Sequence, residues 1–286
     1  MTRRESLAGY LMAAPSAALL FTVALVPSLA TAWLSLFRLI VVFHEHRFVG
    51  LSNYRTLAGD ARFWTALGNT AYFAVVSVGC ELVLGLVIAL LLDSRAAGRG
   101  LLRAAVLVPW AIPAAVGGKI WAWLFNPEYG FITRTLPLHD VNWLGTPGYA
   151  IHAAIVVDVW KTTPFVALLL FAALRSIPED LYRAASIDGA SASRVLGSIT
   201  LPLLRPAVLV ALVLRSLDAF RVFDSIYVLT AGGPANTTET LSIYTYKTLM
   251  GEGDFGYGST LAVATFLCVL AVSALSLRLV GTEARA

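Results

Sequence analysis

Charge is scarce in this sequence. Lys, Arg, Asp and Glu make up only 13% of its 286 residues, against roughly 25% in soluble domains. A water-soluble globule so poor in charge would expose large apolar patches and aggregate. The same shortage excludes a disordered chain. Cysteine is nearly missing: Cys80 and Cys268 lie inside apolar runs, where small packing residues are expected rather than a disulfide or a metal pair. A disulfide-stapled scaffold is therefore excluded. No Gly-x-x-x-x-Gly-Lys-Ser/Thr segment occurs, since Gly118-Lys119 is followed by Ile120 within an apolar run; a P-loop nucleotide site is absent from the chain. His44, His46, His139 and His152 are isolated or loop-placed, and no nucleophile triad or metal-ligand cluster emerges from them. His44 and His46 flank Glu45 in what reads as a solvated loop. The net charge of +4 is spread over short loops and makes no nucleic-acid surface.

What the sequence has instead is apolar length. Apolar residues reach 58% and mean hydropathy is +0.76, so the chain is an integral membrane protein. A helix needs about 20 apolar residues to cross the hydrocarbon core. Six runs qualify, over 10–37, 69–92, 104–125, 148–174, 206–230 and 259–280. The first reads as a retained span rather than a cleaved signal peptide. The expected fold is all-α, with six transmembrane helices in one domain over 1–286. Cationic loops favour the cytoplasm. Placing both termini inside puts Arg3, Arg4, Arg95, Arg99, Arg103, Arg175, Arg183, Arg194, Arg205, Arg278 and Arg285 on that side. The other side then holds Arg38, Arg47, Arg55, Arg62, Arg134 and Lys247.

Glu81, Lys119, Asp158, Lys161, Arg215, Asp218, Arg221 and Asp224 fall inside the runs. A charge at mid-bilayer costs at least about 2.5–3.5 kcal/mol, so such groups face a bundle interior or a wet cavity, and pair. Arg215, Asp218, Arg221 and Asp224 recur every three residues with alternating sign, which puts each cation within reach of an acid on one helix. Asp158 and Lys161 read as a second pair, and Glu81 and Lys119 as lone structural charges. Two readings of the striped helix stay open here: a polar pathway between the fourth and fifth spans, or buried ion pairs that hold the bundle or a subunit contact. Pro109, Pro113 and Pro164 fall within spans and are expected to kink them, as in transporters built on broken helices.

Between the fourth and fifth spans lies a helix–turn–helix. Pro178 opens a helix with Glu179 and Asp180 at its positive end, and Glu179 pairs with Arg183 one turn on. Ala184 and Ala185 give it a narrow face, and Asp188-Gly189 interrupts it. A second short helix is expected over 190–198, with Pro202 starting the return to the membrane.

The sequence Ala184-Ala185, three residues, Gly189, nine residues, Ile199-Thr200-Leu201-Pro202 resembles the EAA loop of ABC importer permeases. Arg183 stands where that pattern has Glu, with Glu179 one turn earlier. Val159-Trp160-Lys161-Thr162-Thr163-Pro164-Phe165 and the segment from Asp218 to Pro234 are similar to the MalF-type, carbohydrate-importing branch, and within it to the permeases of actinobacterial trehalose and related sugar importers. The resemblance implies a MetI/MalF-like permease, a transport subunit and not an enzyme. It implies a second homologous permease, two ATP-binding-cassette subunits that carry ATP and magnesium, and an external solute-binding lipoprotein. The chain itself would need no cofactor. The coupling helix would use Glu179, Arg183, Ala184, Ala185, Asp188, Gly189, Ile199, Leu201 and Pro202. A neutral sugar calls for hydrogen-bonding groups and an aromatic face, expected from Asp158, Lys161, Thr162, Phe165, Arg215, Asp218 and Ala219, with Tyr227 near the entrance. The rivals are a self-contained ion-coupled carrier and an intramembrane enzyme.

Overall fold

The computed structural model describes residue 12 and residues 14–93, 99–135 and 141–283. Residues 10, 11 and 13 of the first run, His139, and Arg3, Arg4, Arg95 and Arg285 of the charge argument lie outside the described residues. In chain order the elements are α1 (Ala14–Leu34), strands β1 (Phe37–Ile40) and β2 (Glu45–Phe48), α2 (Ser52–Gly59), α3 (Ala61–Asp93), α4 (Arg99–Ala111), α5 (Ala114–Leu124), α6 (Phe131–Thr135), α7 (Tyr149–Arg175), α8 (Glu179–Ile187), α9 (Ala192–Phe220), α10 (Asp224–Thr230), α11 (Leu241–Tyr246) and α12 (Phe255–Glu283). By length and composition α1, α3, α7, α9 and α12 each suffice to cross a bilayer. The pair α4 and α5 makes a sixth crossing if two helices bent by 100° count as one.

Two helices depart from the expected runs. The third run breaks at Ile112–Pro113, because Pro113 has no N–H to continue the ladder and sits at φ −54°, ψ 140°. The fifth ends at Phe220 and restarts at Asp224, so the supposed four-charge stripe is not one helical face. Arg221 caps the first helix and Asp224 opens the next. Pro164, by contrast, sits inside an unbroken α7.

The chain divides into two compact units, residues 1–63 with 244–267 and residues 64–243 with 268–286. In the first, β1 and β2 pair antiparallel with Phe37 opposite Phe48, around the stretch of His44, Glu45 and His46 that the sequence shows only as a solvated loop. Asn53 ties the hairpin's entry down, donating from Nδ2 to the carbonyls of Ser35 at 2.8 Å and Phe37 at 2.9 Å. Gly256 packs so close to β1 that a Cβ there would lie 2.1 Å from the Phe37 carbonyl oxygen. Asp60 accepts hydrogen bonds from the hydroxyls of Tyr244 at 2.7 Å and Tyr257 at 2.5 Å. Burial acts to raise the Asp60 carboxyl, but those donors and the N–H groups of Arg62 and Phe63 outweigh it and hold the group below its ordinary value. Arg62 bridges Glu252 at 3.0 Å and covers the Tyr244 ring. No residue of α1 is buried.

In the second unit α3 presents one buried stripe at three- and four-residue spacing: Ala66, Thr70, Phe73, Ser77, Glu81, Gly85, Ala89 and Leu92. Lipid tails are as apolar as these side chains, so membrane helices associate through close packing of small residues rather than through a hydrophobic drive. Gly85 supplies such a contact, since a Cβ there would lie 2.6 Å from Val166 Cγ1 on α7. Ala89, Val166, Leu170, Leu204 and Ala211 continue it as the core of α3, α7 and α9. Gly118 on α5 does the same against Val228 on α10. The loop after α10 is pinned to α3: Asn69 Nδ2 donates to the Glu239 carbonyl at 3.0 Å, and Leu241 N–H to Thr70 Oγ1 at 3.0 Å. The two cysteines are free, Cys80 exposed and Cys268 half-buried.

Candidate functional site

The site grows from one buried guanidinium. Arg215 on α9 is 4% exposed and needs carboxylates, because an unpaired charge away from water is prohibitively costly. It donates from Nε to Glu81 Oε2 at 2.6 Å and from Nη2 to Glu81 Oε1 at 3.1 Å. This is a two-point clasp of the strong, geometry-specific kind. Nη2 also reaches Asp158 Oδ2 at 3.3 Å, and Nη1 donates to Asp218. Thr162 shares its hydroxyl proton between Glu81 Oε1 at 2.8 Å and the Asp158 carbonyl at 2.6 Å. Three helices are thus tied at one point: α3 through Glu81, α7 through Asp158 and Thr162, and α9 through Arg215 and Asp218.

This corrects the sequence reading in two places. Glu81 is not a lone charge but the principal partner of Arg215. Asp158 and Lys161 are not a pair. Asp158 turns to Arg215, while Lys161 donates from Nζ to the Ile112 carbonyl oxygen at 2.6 Å, at the break between α4 and α5. The missed signal was Glu81 itself, an acid in an apolar helix that had to find a cation elsewhere.

Beside the cluster opens a cavity of about 450 Å³, walled by Trp110 and Phe165 and edged by Lys161, Thr162, Arg215 and Asp218. Its size suits a small ligand, which pockets of about 300–1,000 Å³ hold. The Asp218 side chain, 63% exposed, offers an acceptor, and Arg221, also on the wall, offers donors. Asp158 stands behind Arg215, and the buried Ala219 is not on the wall. Tyr227 is on α10, its ring stacked on Phe223 at 5.1 Å, away from this wall. Trp110 escaped the sequence reading, although its place next to Pro109 marks the edge of the break. Among the described residues no His, Cys, Asp and Glu gather as a metal site. Glu45 bridges Arg38 at 3.1 Å, and His46 stacks on Phe37.

The expected elbow has an identifiable local geometry. α8 starts after Pro178, and Arg183 bonds Glu179 at 3.1 Å and Asp180 at 3.4 Å. All three are exposed, so these pairs add little stability. The helix stops in a Schellman turn: Gly189 lies at φ +68°, its N–H bonds the Ser186 carbonyl, and the Ala190 N–H bonds the Ala185 carbonyl at 2.9 Å. Ser191 then caps α9 by accepting from the Arg194 N–H. The second short helix does not end near 198. It passes through a π-helical turn, Leu196–Thr200, straight into the long helix with Ile199, Leu201 and Pro202 inside it. Tyr182 and Thr200 share a hydrogen bond at 3.3 Å that joins α8 to α9. Ala185 is buried against the chain, while Ala184 and Asp188 are exposed and Ile187 is 86% exposed.

Five or six helices fit to cross a bilayer, with a buried polar clasp and a ligand-sized cavity beside a broken helix, make a multi-pass membrane protein with room for a polar ligand. The family of inner membrane components of binding-protein-dependent transport systems matches residues 81–281, and the chain belongs to it. It is 46% identical to the trehalose/maltose transport system permease protein MalF of Thermococcus litoralis, over 96% of this chain and 94% of that one. To the trehalose transport system permease protein SugA of Mycobacterium tuberculosis it is 41% identical, over 96% and 89%. Its fold is similar to a chain of a bacterial ABC transporter involved in the import of the acidic polysaccharide alginate, with a TM-score of 0.80 and 22% identity over 96% of each chain.

Proposed function

We propose that this chain passes a neutral sugar, of the trehalose or maltose kind, across the cytoplasmic membrane by alternating access, as one permease of an ATP-driven importer. The carrying observation is the aromatic-walled, hydroxyl-matching cavity of Trp110, Phe165, Thr162 and Asp218, in a chain 46% identical to a trehalose/maltose permease. Asp158 and Arg215 hold the wall in shape; Ala219 backs it, and Tyr227 guards a separate approach. The chain acts as a single permease domain with both termini cytoplasmic. It pairs with a second, homologous permease, and an external solute-binding lipoprotein delivers the sugar. Two ATPase subunits bind the ATP and magnesium, and one of them seats on α8 through Glu179, Arg183, Ala184, Asp188 and the exposed Ile187. The direct run of α9 out of the elbow, through Ile199, Leu201 and Pro202, makes a stiff lever from the ATPase to Arg215.

The test is uptake of labelled trehalose by the transporter captured whole, with its natural partners, through a tag on this chain and reconstituted in vesicles. Uptake is expected to require ATP and the solute-binding protein. Gly189→Val forces a branched side chain into the left-handed region, at about 1–2 kcal/mol, and is expected to cut uptake at least tenfold while the subunits still copurify. Uptake by this chain alone, driven by a proton or sodium gradient, would establish the ion-coupled carrier instead.

A further inference from the structure

Lys161 is a cation on an apolar helix that makes no ion pair among the described residues. Its ammonium is spent on a backbone oxygen, the Ile112 carbonyl, at 2.6 Å. That oxygen is orphaned for a local reason. The chain turns through 100° between α4 and α5, so the N–H that would have met it in a continuous helix is carried away. In a membrane a carbonyl so freed must find a donor from a neighbour or a cavity. An ammonium is a strong donor at this spot, because a charge-assisted hydrogen bond to a carbonyl is stronger than a neutral one. Two residues before Ile112 stands Trp110, whose ring walls the cavity together with Phe165.

We propose that Lys161 is a positioning residue: its bond to the Ile112 carbonyl pins the break in the third span and thereby holds the Trp110 ring in the cavity wall as a platform for the apolar face of a sugar ring. The proposal rests on the reading of that cavity as the sugar's passage. It gives Lys161 a task different from touching the sugar, which was its role in the sequence reading. Arg in its place keeps a charged donor for the carbonyl, and Met keeps the apolar stem alone.

The test uses the complete transporter in nanodiscs, carrying 5-fluorotryptophan, with the Trp110 fluorine signal assigned through Trp110→Phe. Lys161→Met is expected to shift that signal and to raise the KM for sugar uptake about tenfold, the loss of one charge-assisted hydrogen bond, with the maximal rate within about twofold. Lys161→Arg is expected to restore both, and in a Trp110→Ala background Lys161→Met adds no further increase. An unmoved Trp110 signal in Lys161→Met overturns the proposal. So does a moved signal with unchanged KM, or a full tenfold effect that persists without Trp110, which would put Lys161 on the sugar itself. If the unaltered transporter takes up no sugar, the import reading fails while the fluorine signal still decides the pin.

Discussion

At the scale of single residues, four of the charges inside the apolar runs meet at one point. Arg215 gathers Glu81, Asp158 and Asp218, and only Asp218 is left facing open space. A buried ion cluster gains little over apolar packing, but removing one partner strands the rest, at about 3–5 kcal/mol. Glu81→Ala is therefore expected to destabilise the detergent-solubilised protein by about that amount, read as a fall in the thermal unfolding midpoint. Glu81→Gln keeps the shape and an acceptor for Arg215 and Thr162, and is expected to cost less than half as much. Equal losses would assign the role of Glu81 to packing rather than to charge. That charges were needed in these helices was legible in the sequence; which charge met which was not. Glu81 and Arg215 are separated by 134 positions, and local spacing offered Arg215 nearer partners, of which only Asp218 was taken.

At the scale of elements, local chemistry explains what the sequence disclosed. The Gly189 turn was legible because glycine readily adopts positive φ. A kink in the third span was legible from its prolines, but not that Pro113 would break its span while Pro109 and Pro164 stay inside helices. The end of α9 at Phe220 was hidden, because residues 221–223 contain neither Gly nor Pro. Strands β1 and β2 were hidden too, being four residues each, too short to show an alternation. Helix contacts depend on glycines whose meaning only the fold reveals. A Cβ on Gly85 would meet Val166 Cγ1 at 2.6 Å and the Ala167 nitrogen at 3.2 Å, whereas Gly79, on the same helix, has nothing within 4 Å. Gly85→Ala is thus expected to cost about 1–3 kcal/mol through overpacking. Gly79→Ala, freed from that clash, is expected to gain about 0.5–1 kcal/mol from reduced backbone freedom. Thermal unfolding of the two variants side by side checks the pair, and a loss at both positions would place Gly79 against a neighbour that the isolated chain lacks.

At the scale of the whole molecule, the placing of the cations carries the proposed orientation across the bilayer. Arg175 reaches Asp93 at 3.7 Å, which brings the C-terminal ends of α3 and α7 to one side, and Arg183, Arg194 and Arg205 follow in the elbow and the start of α9. The proposed orientation puts this positive charge in the cytoplasm, on the side where the proposed ATPase would be met. The segment around Glu128, between α5 and α6, carries Arg134 as its only cation over residues 126–135 and lies outside in the proposed orientation. A chain with Cys80 and Cys268 replaced by Ala, bearing either Ser186→Cys or Glu128→Cys, tests this with a membrane-impermeant maleimide. Glu128→Cys is expected to label in spheroplasts and Ser186→Cys only in inverted vesicles, with labelling at 186 suppressed when the ATPase subunits are bound. The reverse pattern would turn the elbow away from any nucleotide-driven partner, and with it would go the lever that joins α8 to Arg215.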